Sequence, residues 1–231
     1  MFIEIIATTL DQAVQAKKFG ADRIELVTGM LEGGLTPSLG LIREIKEKVN
    51  IPMAVMIRPH SKSFIYSEND LETMITDIKL IEPLGVDNFV LGVLDENNNI
   101  NEKSLKYLLS NINNTPVVFH KAFDEVNDYK KSIDLLKKYP QIDRILTSFG
   151  SKTFKDDLMK VKEYLDYAKS VNMNILLGGG INKDNIKHLI SDLHVKQIHV
   201  GSLARINNDP IMDLDENSVN KIMELTGKYN Y

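Results

Sequence analysis

Five ionisable side chains of this sequence sit in or beside short apolar runs, and these are the residues that could do chemistry. Glu4 lies in Phe2-Ile3-Glu4-Ile5-Ile6, Glu25 in Arg23-Ile24-Glu25-Leu26-Val27, and Arg58 follows Met53-Ala54-Val55-Met56-Ile57. His120 follows Val117-Val118-Phe119, and His199 falls within Gln197-Ile198-His199-Val200. A charge in such surroundings has to be paired or hydrogen-bonded, so Glu4, Glu25 and Arg58 are expected to form one network. Two neighbouring carboxylates raise the pKa of one of them, which prepares a general acid for neutral pH. The same charges could instead serve only to hold strands in register. His120 and His199 could act as acid and base, or ligate a divalent metal together with a carboxylate. No HxH or HExxH spacing supports the metal.

A second group of residues suits an anion. Gly178-Gly179-Gly180-Ile181-Asn182 lets backbone N–H groups approach a ligand ahead of a helix, and Gly201-Ser202 offers further small donors. Glycines would also permit a tight turn with no ligand, but three in succession exceed what a turn requires. The stretch Thr28-Gly29-Met30-Leu31-Glu32-Gly33-Gly34-Leu35-Thr36-Pro37-Ser38 reads as a loop able to fold over a site. Arg58-Pro59 would add an anion clamp, and Phe123-Asp124 another carboxylate.

These residues need a scaffold, and the alternation along the chain supplies one. Strand-like runs at 2–6, 23–27, 53–58, 88–92, 117–121, 144–148, 174–178 and 197–201 alternate with segments of helical periodicity. Leu71, Met74, Ile75, Ile78 and Ile81 form one stripe, and Leu105, Leu108, Leu109 and Ile112 another. Ile186, Leu189, Ile190 and Leu193 form a third. Ser67 with Asp70 reads as a capping box, and Asn182 as the cap of the seventh helix. Eight strand–helix units in 231 residues predict an α/β fold, a single (β/α)8 TIM barrel, because strand–helix alternation implies parallel strands joined by right-handed crossovers. The barrel is expected over 1–202, with a loop and a final helix near 218–226 in the C-terminal 203–231.

Period-two alternation sends Ile3, Ile5, Ile24 and Leu26 towards the helices, and Glu4, Arg23, Glu25, Arg58, His120 and His199 into the bore. All but Arg23, which lies deeper and reads as structural, gather towards the strand C-termini, where barrel enzymes carry their chemistry. His60 could reach the same mouth, whereas His188 and His194 are expected on the surface.

Composition excludes much else. There is no cysteine, so disulfides, thiolate metal sites and a cysteine nucleophile are impossible. A net charge of −4 gives no basic field for nucleic acid or an anionic membrane. No apolar run approaches the roughly 20 residues of a membrane span. Met1 leads directly into a strand-like run without a basic n-region, and a cytoplasmic location is expected.

Several blocks resemble the CutC family. They are Glu25-Leu26, Glu32-Gly33-Gly34-Leu35-Thr36-Pro37-Ser38, Ile57-Arg58-Pro59, Phe64-Ile65-Tyr66-Ser67, Leu91-Gly92-Val93-Leu94, Phe119-His120-Lys121-Ala122-Phe123-Asp124, Ile145-Leu146-Thr147-Ser148 and Gly178-Gly179-Gly180-Ile181. They run in order through nearly the whole chain, and the Gly-Gly-Leu-Thr-Pro-Ser and Phe-His-Lys-Ala-Phe-Asp blocks are specific. The resemblance implies a cytoplasmic β/α barrel, commonly a homo-oligomer with a dimer favoured, linked by family name to copper homeostasis. It also adds Thr147 and Ser148 to the anion-binding candidates. Family members proposed to bind copper use cysteines near the ends of the first, second and eighth strands, positions that look like Ile6, Val27 and Val200 here. Without thiols, copper coordination would fall to Met and His, which are softer than carboxylate but weaker than thiolate. Two readings follow. One is a CutC-type role in copper homeostasis. The other is an enzyme acting on a small anionic or phosphorylated metabolite, with Glu4, Glu25, His120 and Asp124 as acid–base candidates.

Overall fold

Most strands carry apolar side chains on both faces, so they must be covered on both, and the chain meets that demand by closing its sheet. In a computed structural model, describing residues 1–155 and 157–228, eight parallel strands form a closed barrel in chain order. They are β1 (Phe2–Ala7), β2 (Arg23–Leu26), β3 (Met53–Met56), β4 (Asn88–Leu91), β5 (Val117–Phe119), β6 (Ile142–Thr147), β7 (Asn174–Gly178) and β8 (Gln197–Val200). Each is followed by a helix: α1 (Leu10–Lys18), α2 (Leu39–Lys48), α3 (Glu68–Ile81), α4 (Glu102–Leu109), α5 (Tyr129–Leu136), α6 (Leu158–Ser170), α7 (Ile186–Ser191) and α8 (Glu216–Leu225). The predicted (β/α)8 fold is the observed one.

The two faces separate as alternation requires. Ile3, Ile5, Ile24, Leu26, Phe119 and Ile198 join the helices in the large outer core. Val27, Ala54, Met56, Val90, Val118, Leu146 and Leu176 form a smaller core inside the bore. Parallel pairing then sets which inward residues meet. Glu4 is the register partner of Arg23 on one side and of His199 on the other, while Glu25 stands level with Ile6.

Helix starts follow the expected chemistry. The Ser67 hydroxyl accepts from the Asp70 N–H, and the Asp70 carboxylate accepts from the Ser67 N–H, closing the capping box that opens α3. Leu71, Met74, Ile75, Ile78 and Ile81 all face the core. Asn182 departs slightly from expectation. Its side chain accepts from the N–H groups of Asp184 and Asn185, so it caps the turn before α7, which itself begins at Ile186. After β8, the segment leading to α8 is tied back by Arg205. This wholly buried guanidinium donates to the carbonyls of Met212 and Ile6.

Two strands, β3 and β5, end two residues earlier than the apolar pattern suggests, and both endings shape the mouth. The Arg58 N–H donates to the Thr36 hydroxyl, and the Arg58 carbonyl accepts from the Thr36 N–H, which takes that residue out of the β3 ladder. On β5, His120 still donates its N–H to the Leu91 carbonyl, and then the chain turns into a 3-10 segment, Lys121–Glu125. Among the described residues no helix is long and apolar enough to cross a membrane.

Candidate functional site

The charged side of the bore is built by β8, β1 and β2. Glu4, almost wholly buried, accepts from the Arg23 guanidinium at 2.5 Å through Oε2 and lies 2.7 Å from His199 Nδ1 through Oε1. Arg23 passes the chain on by donating to Asn88 Oδ1 at 2.8 Å. The other imidazole nitrogen, His199 Nε2, lies 3.8 Å from Glu25 Oε2. One imidazole thus bridges two buried carboxylates. Burial alone would push Glu4 up, but the charge of Arg23, with His199 adding hydrogen-bond and charge, brings it down to about 2. Glu25 has no such partner. Burial raises it to about 7, with His199 opposing and the Glu4 charge adding to the rise. Burial also opposes a charge on His199, but Glu25 and Glu4 outweigh it and raise this imidazole above its ordinary value. At neutral pH Glu4 is therefore the fixed anion, and Glu25, 3.8 Å from His199, is the carboxyl held closest to neutrality.

This pair opens on a cleft of about 420 Å³ at the C-terminal ends of the strands. Glu25, His120, Lys121 and His199 line it, with apolar walls from Ile6, Val27, Met56, Leu146 and Val200. His120 is on the opposite side, directly after β5, where it packs at a tilt against Phe64 at 4.9 Å between ring centroids. Burial, with the charge of Arg58 adding, pushes His120 down to about 3, so its imidazole is neutral. Its Nδ1 accepts from the Ala122 N–H at 3.2 Å.

Arg58 does not join the carboxylates. It donates to the carbonyls of Glu32 and Gly34 and lies over Phe64 at 4.6 Å, so it fastens the β2–α2 loop. Arg23 is the guanidinium on Glu4 instead, a structural role that its deeper position already suggested. Asp124 lies outside the cleft lining and clasps two loops. Its carboxylate accepts from the Thr147 hydroxyl at 2.5 Å, the Ser148 N–H at 2.8 Å and the Ser148 hydroxyl at 3.0 Å. The donors of Thr147 and Ser148 thus serve an anion of the chain itself. His60 pairs with Asp70 and stacks on Tyr66, away from the cleft, and His188 and His194 are exposed.

The glycines divide in the same way. A Cβ on Gly178 would lie 2.9 Å from the His199 Cβ and 2.7 Å from Leu146 Cδ1, so this glycine makes room for the imidazole. Gly180 gives way to the Lys152 carbonyl, 2.1 Å from where its Cβ would be. Gly179, Gly180, Gly201 and Ser202 do line the cleft. Lys121 had no role in the sequence reading. Its ammonium lies 2.7 Å from the place a Gly179 Cβ would occupy and 3.5 Å from Asp124, making it the cleft's flexible cation. Its position directly after His120 at a strand end was the available signal.

Joint metal ligation by His120 and His199 was the alternative to acid–base roles, and the two imidazoles stand on opposite sides of the cleft. The residues that come together are Glu4, Glu25 and His199, with one ligand atom of each within 4.8 Å of the others. Copper in its soft Cu(I) state does not fit this group. Both Glu4 oxygens are already engaged, the Arg23 charge sits against them, and carboxylates are hard ligands. Ile6, Val27 and Val200, where the family resemblance would place cysteines, all line the cleft as hydrocarbon.

Comparison with known proteins agrees with this architecture. The CutC family model matches residues 1–204. A copper homeostasis protein cutC homolog from Mus musculus is 35% identical over 217 residues, covering 94% of this chain and 78% of that protein. A family protein CutC from Treponema denticola is 36% identical over 203 residues, covering 88% of this chain and 82% of that protein. A crystal structure of CutC from Streptococcus agalactiae superposes with a TM-score of 0.80 at 33% identity, over 86% of this chain and 97% of that one. With the family model spanning the whole barrel and the relatives agreeing over most of their lengths, the chain belongs to the CutC family.

Proposed function

We propose that the protein serves copper homeostasis, the role carried in the name of its mouse relative, without holding copper in a tight site of its own. Similarity over 94% of the chain supports the role. The absence of cysteine and the hydrocarbon at Ile6, Val27 and Val200 argue against direct thiolate binding. Deleting the gene should lower copper tolerance, and plasmid-borne wild type should restore it. Unchanged tolerance and cell copper content in the deletion strain would remove the role. Titration of tag-free protein with Cu(I) against a competing chelator should show no stoichiometric site.

One observation favours a second reading, namely the Glu4–His199–Glu25 array at the base of the cleft. A carboxyl poised near neutral pH beside an imidazole raised above its ordinary value is the equipment of a general acid–base enzyme. The Lys121 ammonium at the rim would attract a small anionic or phosphorylated metabolite, with Gly179, Gly180, Gly201 and Ser202 around it. Glu25 and His199 would move the proton, and Glu4 would keep His199 oriented and charged. A thermal-shift screen of small acids, sugar phosphates and nucleotides tests this. Hits should weaken in Lys121→Ala and change pH dependence in Glu25→Gln; a screen whose hits ignore both substitutions would count against the reading.

A further inference from the structure

The bridge from Glu4 through His199 explains one side of the cleft, but two buried polar atoms on its lining residues are left without a partner. They are Glu25 Oε1 and His120 Nε2. An unpaired buried polar atom costs free energy, and a catalytic role is one reason for retaining such an atom.

The two atoms differ in kind. Because His120 Nδ1 accepts from the Ala122 N–H, it carries no proton, and the single proton of the neutral ring is on Nε2. His120 therefore presents an uncharged N–H donor. The fold protects that arrangement: a Cβ on Gly92 would come within 2.5 Å of Nδ1, so only glycine lets the ring sit there. Burial beside Arg58 keeps the ring from taking a second proton. A neutral imidazole is a poor general acid at this pH but a good electrophile towards an oxygen that gains negative charge. Glu25 presents the complementary group, a carboxylate able to accept a proton in a site walled by Ile6, Val27, Met56 and Leu146. A volume of about 420 Å³ is at the small end of ligand pockets, fitting a molecule of a few carbons.

We propose that the cleft acts on small carbonyl compounds with a hydrogen on the adjacent carbon, Glu25 removing that proton while the His120 Nε2–H holds the carbonyl oxygen. The inference rests on the acid–base reading and gives it a substrate class. In the step, the C–H bond breaks and its proton goes to the Glu25 carboxylate. The C–H electron pair becomes the carbon–carbon double bond of an enolate, and the carbonyl π pair moves onto oxygen, where His120 donates to it. Return of a proton from Glu25 to that same carbon collapses the enolate to the carbonyl compound, so no oxidant, reductant or co-reactant is needed, and exchange of the Glu25 proton with solvent labels the carbon. Lys121 at the rim would favour substrates that carry an anionic group.

The test is hydrogen exchange in D2O followed by proton NMR, using dihydroxyacetone, glyceraldehyde and dihydroxyacetone phosphate as probes. Wild type should exchange the hydrogens next to the carbonyl of at least one probe about 100-fold faster than buffer, and Glu25→Gln should return the rate to that of buffer. His120→Asn should lower kcat about 100-fold while leaving KM within a few-fold, as expected for a donor used mainly in the transition state. The wild-type rate should rise through about pH 7 as Glu25 ionises, without an inflection from His120 between pH 5 and 9. Wild type no faster than Glu25→Gln with all three probes would overturn the proposal. If those probes nonetheless stabilised wild type against heat and the stabilisation changed in Glu25→Gln, the carbonyl chemistry would fall while the acid–base cleft survived. If there were neither exchange nor binding, and Glu25 titrated near 4.5, both would fall.

Discussion

From β3 round to β7 the upper bore is lined by the apolar Ala54, Met56, Val90, Val118, Leu146 and Leu176, while β8, β1 and β2 line their side with His199, Glu4, Arg23 and Glu25. The two sides meet directly, since Glu25 is the register partner of Ala54. The apolar side gains free energy from burial and has no protonation state to settle. The charged side has to offset dehydration by pairing, and it does so unevenly. Glu4 has a partner on each oxygen and stays ionised, whereas Glu25 has only a 3.8 Å neighbour and is held near neutrality. Identical side chains on adjacent strands thus become a structural anion and a proton carrier, and the difference lies in their partners.

The comparison is broken most severely at Glu4. Glu4→Gln would leave the Arg23 charge buried without its carboxylate, and a loss of about 3–5 kcal/mol is expected in urea unfolding at pH 7. A loss below about 1 kcal/mol would mean the charged side is not paired as described. On the apolar side, Leu146→Ala should cost about 3 kcal/mol through lost contacts and a cavity. That cost should be the same at pH 5.5 and pH 8, and a pH-dependent cost would show that the two sides are coupled.

Glu25→Gln should have the smallest effect, and the opposite sign. The Glu25 pKa is raised on folding, so its favourable contribution is fully present below about 4.5 and is lost as pH rises through about 7. Above that, burying the carboxylate costs up to about 3 kcal/mol, which a neutral amide avoids. The variant should therefore be about 2 kcal/mol more stable than wild type at pH 8 and equal to it near pH 5. Equal stability at both pH values would remove the contrast between Glu4 and Glu25.

Strand count, closure and the inward direction of Glu4, Glu25, His120 and His199 were legible because alternation is a local property of the sequence. What failed depended on partners distant along the chain. Face counting sent Arg58 inward, but Thr36 takes up its backbone groups and the Glu32 and Gly34 carbonyls take its guanidinium. Asp124, Thr147 and Ser148 each read as ligand groups, yet they satisfy one another across the β5 and β6 loops. The need for Gly178 becomes visible only when β8 brings His199 against it. Periodicity could assign His120 and His199 to one end of the bore, but only closure of the barrel sets them on opposite sides of the cleft.

The central claim is that the charged wall holds Glu25 as a proton carrier at neutral pH beside His199. Carbon-13 NMR titration of glutamate side-chain carboxyls, with Glu25→Gln to assign the resonance, measures this directly. The structure predicts an apparent midpoint of about 7 for Glu25, moving together with the imidazole of His199, while Glu4 stays ionised down to about pH 2. A Glu25 midpoint near 4.5, independent of His199, would contradict it.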